Sequence, residues 1–170
     1  GNTGDNTPAM LYTEIVPGEN VKVTVGPKGF GSENMSAIRM FKPSAGLQGI
    51  KDFIIETVEA AGPNPGPPMV VGVGIGGTFD KAALLAKKAL MRPIGSRNPN
   101  PRAAHMEQLL EDGLNAMGLG PQGLTGTASV LGVHIENTAR HPSTIGVAVN
   151  GGCWSHRRRH IGFNRELETR

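Results

Sequence analysis

The stretch from Pro63 to Thr78 constrains the fold more than any other part of the chain. Pro63, Pro65, Pro67 and Pro68 crowd together there, which excludes both a helix interior and a central strand. Residues 69–75 then form an apolar run of buried-strand length, closed at once by Gly76-Gly77-Thr78. Thr78 suits a helix N-cap, and Ala82, Leu85, Ala86 and Ala89 form an apolar helical stripe that ends before Pro93. Turn, strand and helix are thus fixed in succession. Gly72, Gly74 and Gly77 formally match G-x-G-x-x-G between the strand and the helix, as in a dinucleotide site. Such a site also wants an acidic residue about 20 positions on, ending a second parallel strand. This chain has Arg92-Pro93-Ile94-Gly95-Ser96 there. Two readings of the glycines remain. Gly76, Gly77 and Thr78 could open a helix N-terminus to a carboxylate or phosphate, or the glycines could serve close strand–helix packing alone.

Around this segment, Val21, Val23 and Val25 alternate with polar residues as in a half-buried strand. Residues 10–16 are its expected partner, through a turn at Pro17-Gly18-Glu19-Asn20. Residues 27–32 read as a flexible loop. Leu47, Ile50, Ile54, Val58 and Ala61 have helical spacing, stopped by Gly62-Pro63. Another helix is expected over residues 101–117, with Met106, Leu109, Leu110, Leu114 and Met117 on one face and Gly118 just past its end. A glycine-rich loop follows over 118–126, then strands over 128–135 and 144–149, and a basic tail from Gly151 onward. Strict β-α-β alternation fails at both ends. The expected fold is therefore α+β: a mixed sheet of short strands packed with about three helices in a single domain.

Composition narrows the function. A chain of 170 residues accommodates one domain, and 4% aromatic content makes its core aliphatic. No apolar run approaches the ~20 residues of a membrane span, and residues 1–5 carry no secretory signal. Because the chain does not begin with methionine, it is expected to be a fragment. A single cysteine allows no intrachain disulfide and points to the cytoplasm. The net charge of +3, with Arg157, Arg158 and Arg159 adjacent, suits an anionic small molecule or nucleic acid.

Cys153, His156 and His160 give C-x2-H-x3-H, half of a zinc site, although the three arginines lie between the histidines and a fourth ligand is needed. The same stretch could contact phosphates, or be a solvated charge run beside a buried cysteine. Arg140-His141-Pro142 falls between two strands. An arginine fork beside a switchable histidine donor can bind a carboxylate, and an ordinary surface histidine is the alternative.

Taken together, several stretches resemble the α-type catalytic region of the iron–sulfur hydro-lyases, the class I fumarases and L(+)-tartrate dehydratases. They are Asn2-Thr3-Gly4-Asp5-Asn6-Thr7-Pro8, Pro27-Lys28-Gly29-Phe30-Gly31-Ser32-Glu33-Asn34, residues 71–83, Leu119-Gly120-Pro121-Gln122-Gly123-Leu124-Thr125-Gly126, and Val147-Ala148-Val149-Asn150 running into Cys153. The resemblance implies reversible addition of water to a dicarboxylate, fumarate/malate or tartrate, at the open iron of a [4Fe–4S] cluster held by three cysteines. It places Cys153 as the last cluster ligand and puts Gly66 where the family has the middle one. The first would lie upstream of Gly1. It also implies His141, Gly31 and Lys28 as substrate-binding residues, with Phe30 replacing a usual glycine. A catalytic base would come from a β-type subunit or C-terminal domain. The whole of 1–170 is then expected to be a fragment of the α-type domain, inactive alone, homo-oligomeric, and with no nucleic acid or membrane partner. The alternatives are a non-catalytic assembly module, or a zinc- or nucleic-acid-binding domain built on Cys153, His156, His160 and Arg157–Arg159.

Overall fold

A computed structural model describes residues 1–7, 9–166 and 168–169; Pro8, in the first of the stretches quoted above, lies outside the described residues. The chain forms strand β1 (Val21–Val25), a short helix α1 (Phe30–Glu33), β2 (Ala37–Phe41), α2 (Gly46–Ala61), β3 (Met69–Ile75), α3 (Phe79–Leu90), α4 (Pro101–Ala116), β4 (Val130–Asn137), β5 (Ile145–Gly152) and β6 (Arg159–Phe163). Two compact units are present. One comprises Val25–Arg159; the other comprises Gly1–Thr24 with His160–Arg170.

The larger unit is α+β, as expected. Its four strands lie in the order β2-β5-β3-β4, with β3 parallel to β4 and antiparallel to β5, and β5 antiparallel to β2. Register pairs Val71 with Val133 on one side and with Gly151 on the other. Residues of β3 alternate between faces. On one face Met69, Val71 and Val73 join Val133, Ile135, Val147 and Val149 against Ile54 and Val58 of α2 and Leu110 and Leu114 of α4. Burying each such side chain contributes about 1.5–3 kcal/mol. On the other face lies α3, whose contact side is made of Ala82 and Ala86 with Ala148 of β5.

That second face explains the glycines. A Cβ at Gly74 would overlap the Ala82 carbonyl oxygen, and one at Gly72 the Ala86 carbonyl oxygen. The backbone of α3 therefore rests directly on β3. The packing reading holds for these two positions, and the dinucleotide reading fails. The amide of Gly76 donates to the Gly146 carbonyl at 2.8 Å, and that of Gly77 to Ala139 at 3.0 Å, so neither is free for a phosphate.

Several elements depart from expectation. Residues 10–16 form no strand; β1 pairs instead with β6, a segment read from sequence as basic tail. The 27–32 loop contains the start of α1, and β2 was not anticipated. On α4, Leu109 is half exposed while Glu107 is fully buried. The Glu107 carboxylate accepts from Arg92 Nη1 at 2.7 Å and from the amides of Ile135 and Asn98 at 2.8 Å each. Those bonds tie the 92–100 loop to β4 and offset the cost of burying the charge.

His134 of β4 is also fully buried, and among the described residues neither ring nitrogen has a hydrogen-bond partner of good geometry. Burial pushes its pKa down and the Arg92 guanidinium adds to the effect, against the opposing pull of Glu107. The unfolded chain therefore takes up this proton at a higher pH than the folded one. Stability is full above the unfolded histidine value of about 6.5 and falls as pH drops below it. The melting temperature is expected to decline from pH 7.5 to 5.5, and His134→Gln to make that decline shallower; an equal slope in the two proteins would show that His134 does not govern it.

Candidate functional site

β5 carries candidate residues at both of its ends. Beyond its C-terminal end, the turn of residues 153–156 is fixed by three bonds. The Trp154 amide donates to Gly66 at 3.0 Å, the His156 amide to the Cys153 carbonyl at 3.0 Å, and His156 Nε2 to the Leu90 carbonyl at 2.8 Å. A carbonyl only accepts, so the His156 proton sits on Nε2. Burial pushes the pKa of this imidazole down. Cys153 Sγ lies 3.0 Å from Ser155 Oγ. Burial pushes the thiol up, but the hydrogen bonds of Ser155 and the nearby Lys28 charge outweigh it, leaving the pKa below the usual thiol value.

Lys28 belongs to a charged network that sequence reasoning did not assemble. Its ammonium donates to the Gly29 carbonyl at 2.8 Å and to Ser32 Oγ at 2.7 Å, and lies 3.2 Å from Glu33 Oε2. Burial lowers the Lys28 pKa, with Glu33 opposing. Glu33 also accepts from Lys87 Nζ at 2.5 and 2.7 Å and from Asn150 Nδ2 at 3.0 Å. Burial works to raise this carboxyl, yet the donors of Lys87, Asn150 and Lys28 hold it at about 2. Two cations on one carboxylate leave a positive excess beside Cys153. Glu33 stood inside a quoted motif, but nothing in local spacing linked it to Lys87 or Asn150.

Gly66 sits beside Cys153. A Cβ at Gly66 would lie 3.7 Å from Cys153 Cβ and 3.6 Å from Trp154 Cδ1. Its φ of 70° is in the left-handed region, which favours glycine. Gly31, on the exposed side of α1, lies next to the same proline-rich turn, its Cβ position 3.9 Å from the Asn64 carbonyl oxygen.

Before the N-terminal end of β5, His141 lines an open cleft of about 450 Å³ with Met40, Gly77, Thr78, Phe79, Arg140 and Thr144. Arg140 Nη1 donates to the carbonyls of His141 at 3.1 Å and Pro142 at 3.2 Å, bracing the loop. The Thr78 hydroxyl does not cap α3; it donates to Asp80 at 2.6 Å.

The structure brings Lys28, Gly31, Gly66 and Cys153 to one end of the sheet and leaves His141 at the other. β5 has eight residues between them, a separation of about 25 Å at strand spacing. The histidines of the C-x2-H-x3-H stretch are engaged elsewhere, His156 with Leu90 and His160 Nδ1 with Thr24 Oγ1 at 2.8 Å. Among the described residues no group of three or more His, Cys, Asp or Glu side chains gathers to hold a metal ion. Among the described residues no helix is long and apolar enough to cross a membrane.

A family model described as Fumarate hydratase (Fumerase) matches residues 1–162. The chain is 46% identical over 166 residues to an L(+)-tartrate dehydratase subunit alpha of Escherichia coli strain UTI89, covering 98% of this chain and 55% of that protein. It is 48% identical over 157 residues to the subunit of the same name from strain K12, covering 92% and 52%. A putative L(+)-tartrate dehydratase subunit alpha of Methanocaldococcus jannaschii is 45% identical over 159 residues, covering 92% and 55%. The chain thus spans about half the length of the curated relatives it matches.

The Gly66–Cys153 geometry is directly testable. Disulfides join Cβ atoms roughly 3.5–4.5 Å apart. Gly66→Cys is expected to cross-link to Cys153 on oxidation, at a folding cost of about 1–2 kcal/mol for the left-handed backbone. Mass-spectrometric alkylation should find both thiols protected before reduction and both modified after it. Two free thiols in the oxidised variant would contradict this placement.

Proposed function

Because the chain belongs to the fumarate hydratase (Fumerase) family, we propose that the whole protein is a hydro-lyase that adds or removes water on a dicarboxylate, fumarate/malate or tartrate, and that this chain is a portion of its α-type domain, inactive alone. The observation carrying this reading is the family match along residues 1–162, joined to 45–48% identity with tartrate dehydratase α subunits. The reading also assigns a cytoplasmic location, a β-type subunit or C-terminal domain as partner, and self-association.

Dehydration of such a substrate removes a proton α to one carboxylate and expels hydroxide. The dianion must be held in one orientation while charge develops. In this reading His141 binds one carboxylate in its cleft, and the Lys28 end supplies positive charge against the substrate's negative charge. A single centre that uses both ends of β5 needs other parts of the whole protein, or a second copy of the chain, to close it. No side chain described above is poised as the base, which the reading assigns to the β-type partner.

The family's [4Fe–4S] cluster does not fit this chain's residues. Three thiolates are required, Cys153 is the only cysteine, and the adjoining Gly66 position carries no sulfur. The chain alone is therefore expected to retain no stoichiometric iron or sulfide after anaerobic reconstitution and to turn over neither fumarate nor tartrate. Four irons held stably per chain, by metal analysis and visible absorption, would overturn that. In the whole protein with its partner, His141→Asn is expected to lower kcat/KM roughly 10- to 150-fold, the equivalent of a lost charge-assisted hydrogen bond of ~1.5–3 kcal/mol. An unchanged kcat/KM for fumarate, malate and tartrate would remove His141 from the substrate site.

A further inference from the structure

The cleft before β5 has a feature that the carboxylate reading of His141 does not by itself explain. Two groups of Ser143 converge on one ring nitrogen. The Ser143 amide donates to His141 Nδ1 at 3.2 Å, and Ser143 Oγ lies 2.7 Å from the same atom. An amide N–H has no acceptor capacity, so in this arrangement Nδ1 bears a lone pair and the hydroxyl donates to it as well. The ring proton of the neutral imidazole is then on Nε2. Among the described residues Nε2 has no hydrogen-bond partner, and His141 lines the cleft together with Gly77, Thr78 and Phe79.

The loop around it is braced. Arg140 bonds the carbonyls of His141 and Pro142, and the Thr144 amide donates to the His141 carbonyl at 3.3 Å. The His141–Ser143 pair is thus held on a turn anchored to the first residues of β5. A histidine that must accept a carboxylate needs a donor on the exposed nitrogen. If the proton were on Nδ1, the exposed Nε2 would offer a lone pair and repel a carboxylate oxygen.

We propose that Ser143 is the positioning residue of His141: by occupying Nδ1 with two donors it keeps the imidazole proton on Nε2, so that the ring meets a dicarboxylate in the cleft as a hydrogen-bond donor. This rests on the reading of His141 as a carboxylate ligand and adds to it the identity of the donating nitrogen and the residue that fixes it. In this role Ser143 need touch no substrate atom. Its part is played through His141, in the way second-sphere partners fix the tautomer of ligating histidines.

The test is histidine ring 15N NMR on the whole protein with its partner, at a pH where His141 is neutral, with His141→Asn used to assign its signals. The expected result is an unprotonated Nδ1 and a protonated Nε2. Ser143→Ala should shift the ring toward a mixture of tautomers and weaken the binding of L(+)-tartrate, followed through the same signals, about three- to tenfold, in line with one neutral hydrogen bond. Ser143→Thr, which keeps the hydroxyl, should restore both. A dominant Nδ1–H tautomer, or a tautomer balance unmoved by Ser143→Ala, would overturn the role of Ser143 whatever tartrate does. The expected tautomer with ring signals that do not respond to tartrate would instead overturn the carboxylate reading, and the positioning role with it. A merely structural serine would change the melting temperature without moving the tautomer.

Discussion

The direct seating of the α3 backbone on β3 sets the geometry of everything around it. Gly72 and Gly74 remove the two side chains that would keep strand and helix apart, and Ala82 and Ala86 complete a surface with almost no protrusion. Close approach of this kind is intolerant of volume, since overpacking costs roughly 1–3 kcal/mol per site. It also fixes where α3 begins and ends. The first residues of α3 form one wall of the His141 cleft, and its last turn receives the His156 hydrogen bond that anchors the Cys153 turn. One backbone contact therefore positions both candidate regions, at opposite ends of the same strand pair.

The two ends differ in chemistry. At the Cys153 end, charge is concentrated and half-buried: Glu33 neutralises only part of Lys28 and Lys87, and Asn150 binds the same carboxylate from a buried position on β5. A thiol there is biased toward the thiolate by hydrogen bonds and by the residual positive field. At the His141 end the cleft is open, mostly apolar, and bordered by a braced loop in which donors are arranged by short-range hydrogen bonds. On the proposed reading, one end holds negative charge through electrostatics and the other orients a carboxylate through a directed bond.

Much of this was legible in the sequence where local rules decide it. The bounds of β3, the stop of α2 at Gly62 and the stripe of α3 follow from proline, glycine and apolar spacing, which act over a few residues. The failures lie where partners are distant. β1 has a strand's alternation, but its partner β6 comes from the far end of the chain, and residues 10–16 have the same apolar character without any strand to join. Glu107 stood outside the apolar face expected of α4, and its burial rests on amides and an Arg92 guanidinium supplied by segments 9 to 28 residues away. The site divides the same way. Cys153, Lys28 and His141 could be named from motifs, whereas Lys87 and Asn150, 54 and 117 residues from Glu33, could not be placed beside it without the fold.

Gly66 joins these two kinds of information. Sequence resemblance marks the position as unusual, and the fold shows that it is not a remote substitution: the missing side chain would have stood against Cys153. Among the described residues no His, Cys, Asp or Glu cluster stands beside Cys153 to complete a metal site. Ser155 bonds the thiol, His156 is turned away to Leu90, and Glu33 is saturated by two lysines and an asparagine. A thiol whose pKa is lowered chiefly by the hydrogen bonds of Ser155, but which lacks a neighbouring thiolate, cannot hold an iron cube alone. The positive field of Lys28 and Lys87 does not depend on iron. The positive excess of Lys28 and Lys87 over Glu33 is therefore a property of this chain's own residues, while the metal chemistry of the family does not follow from it.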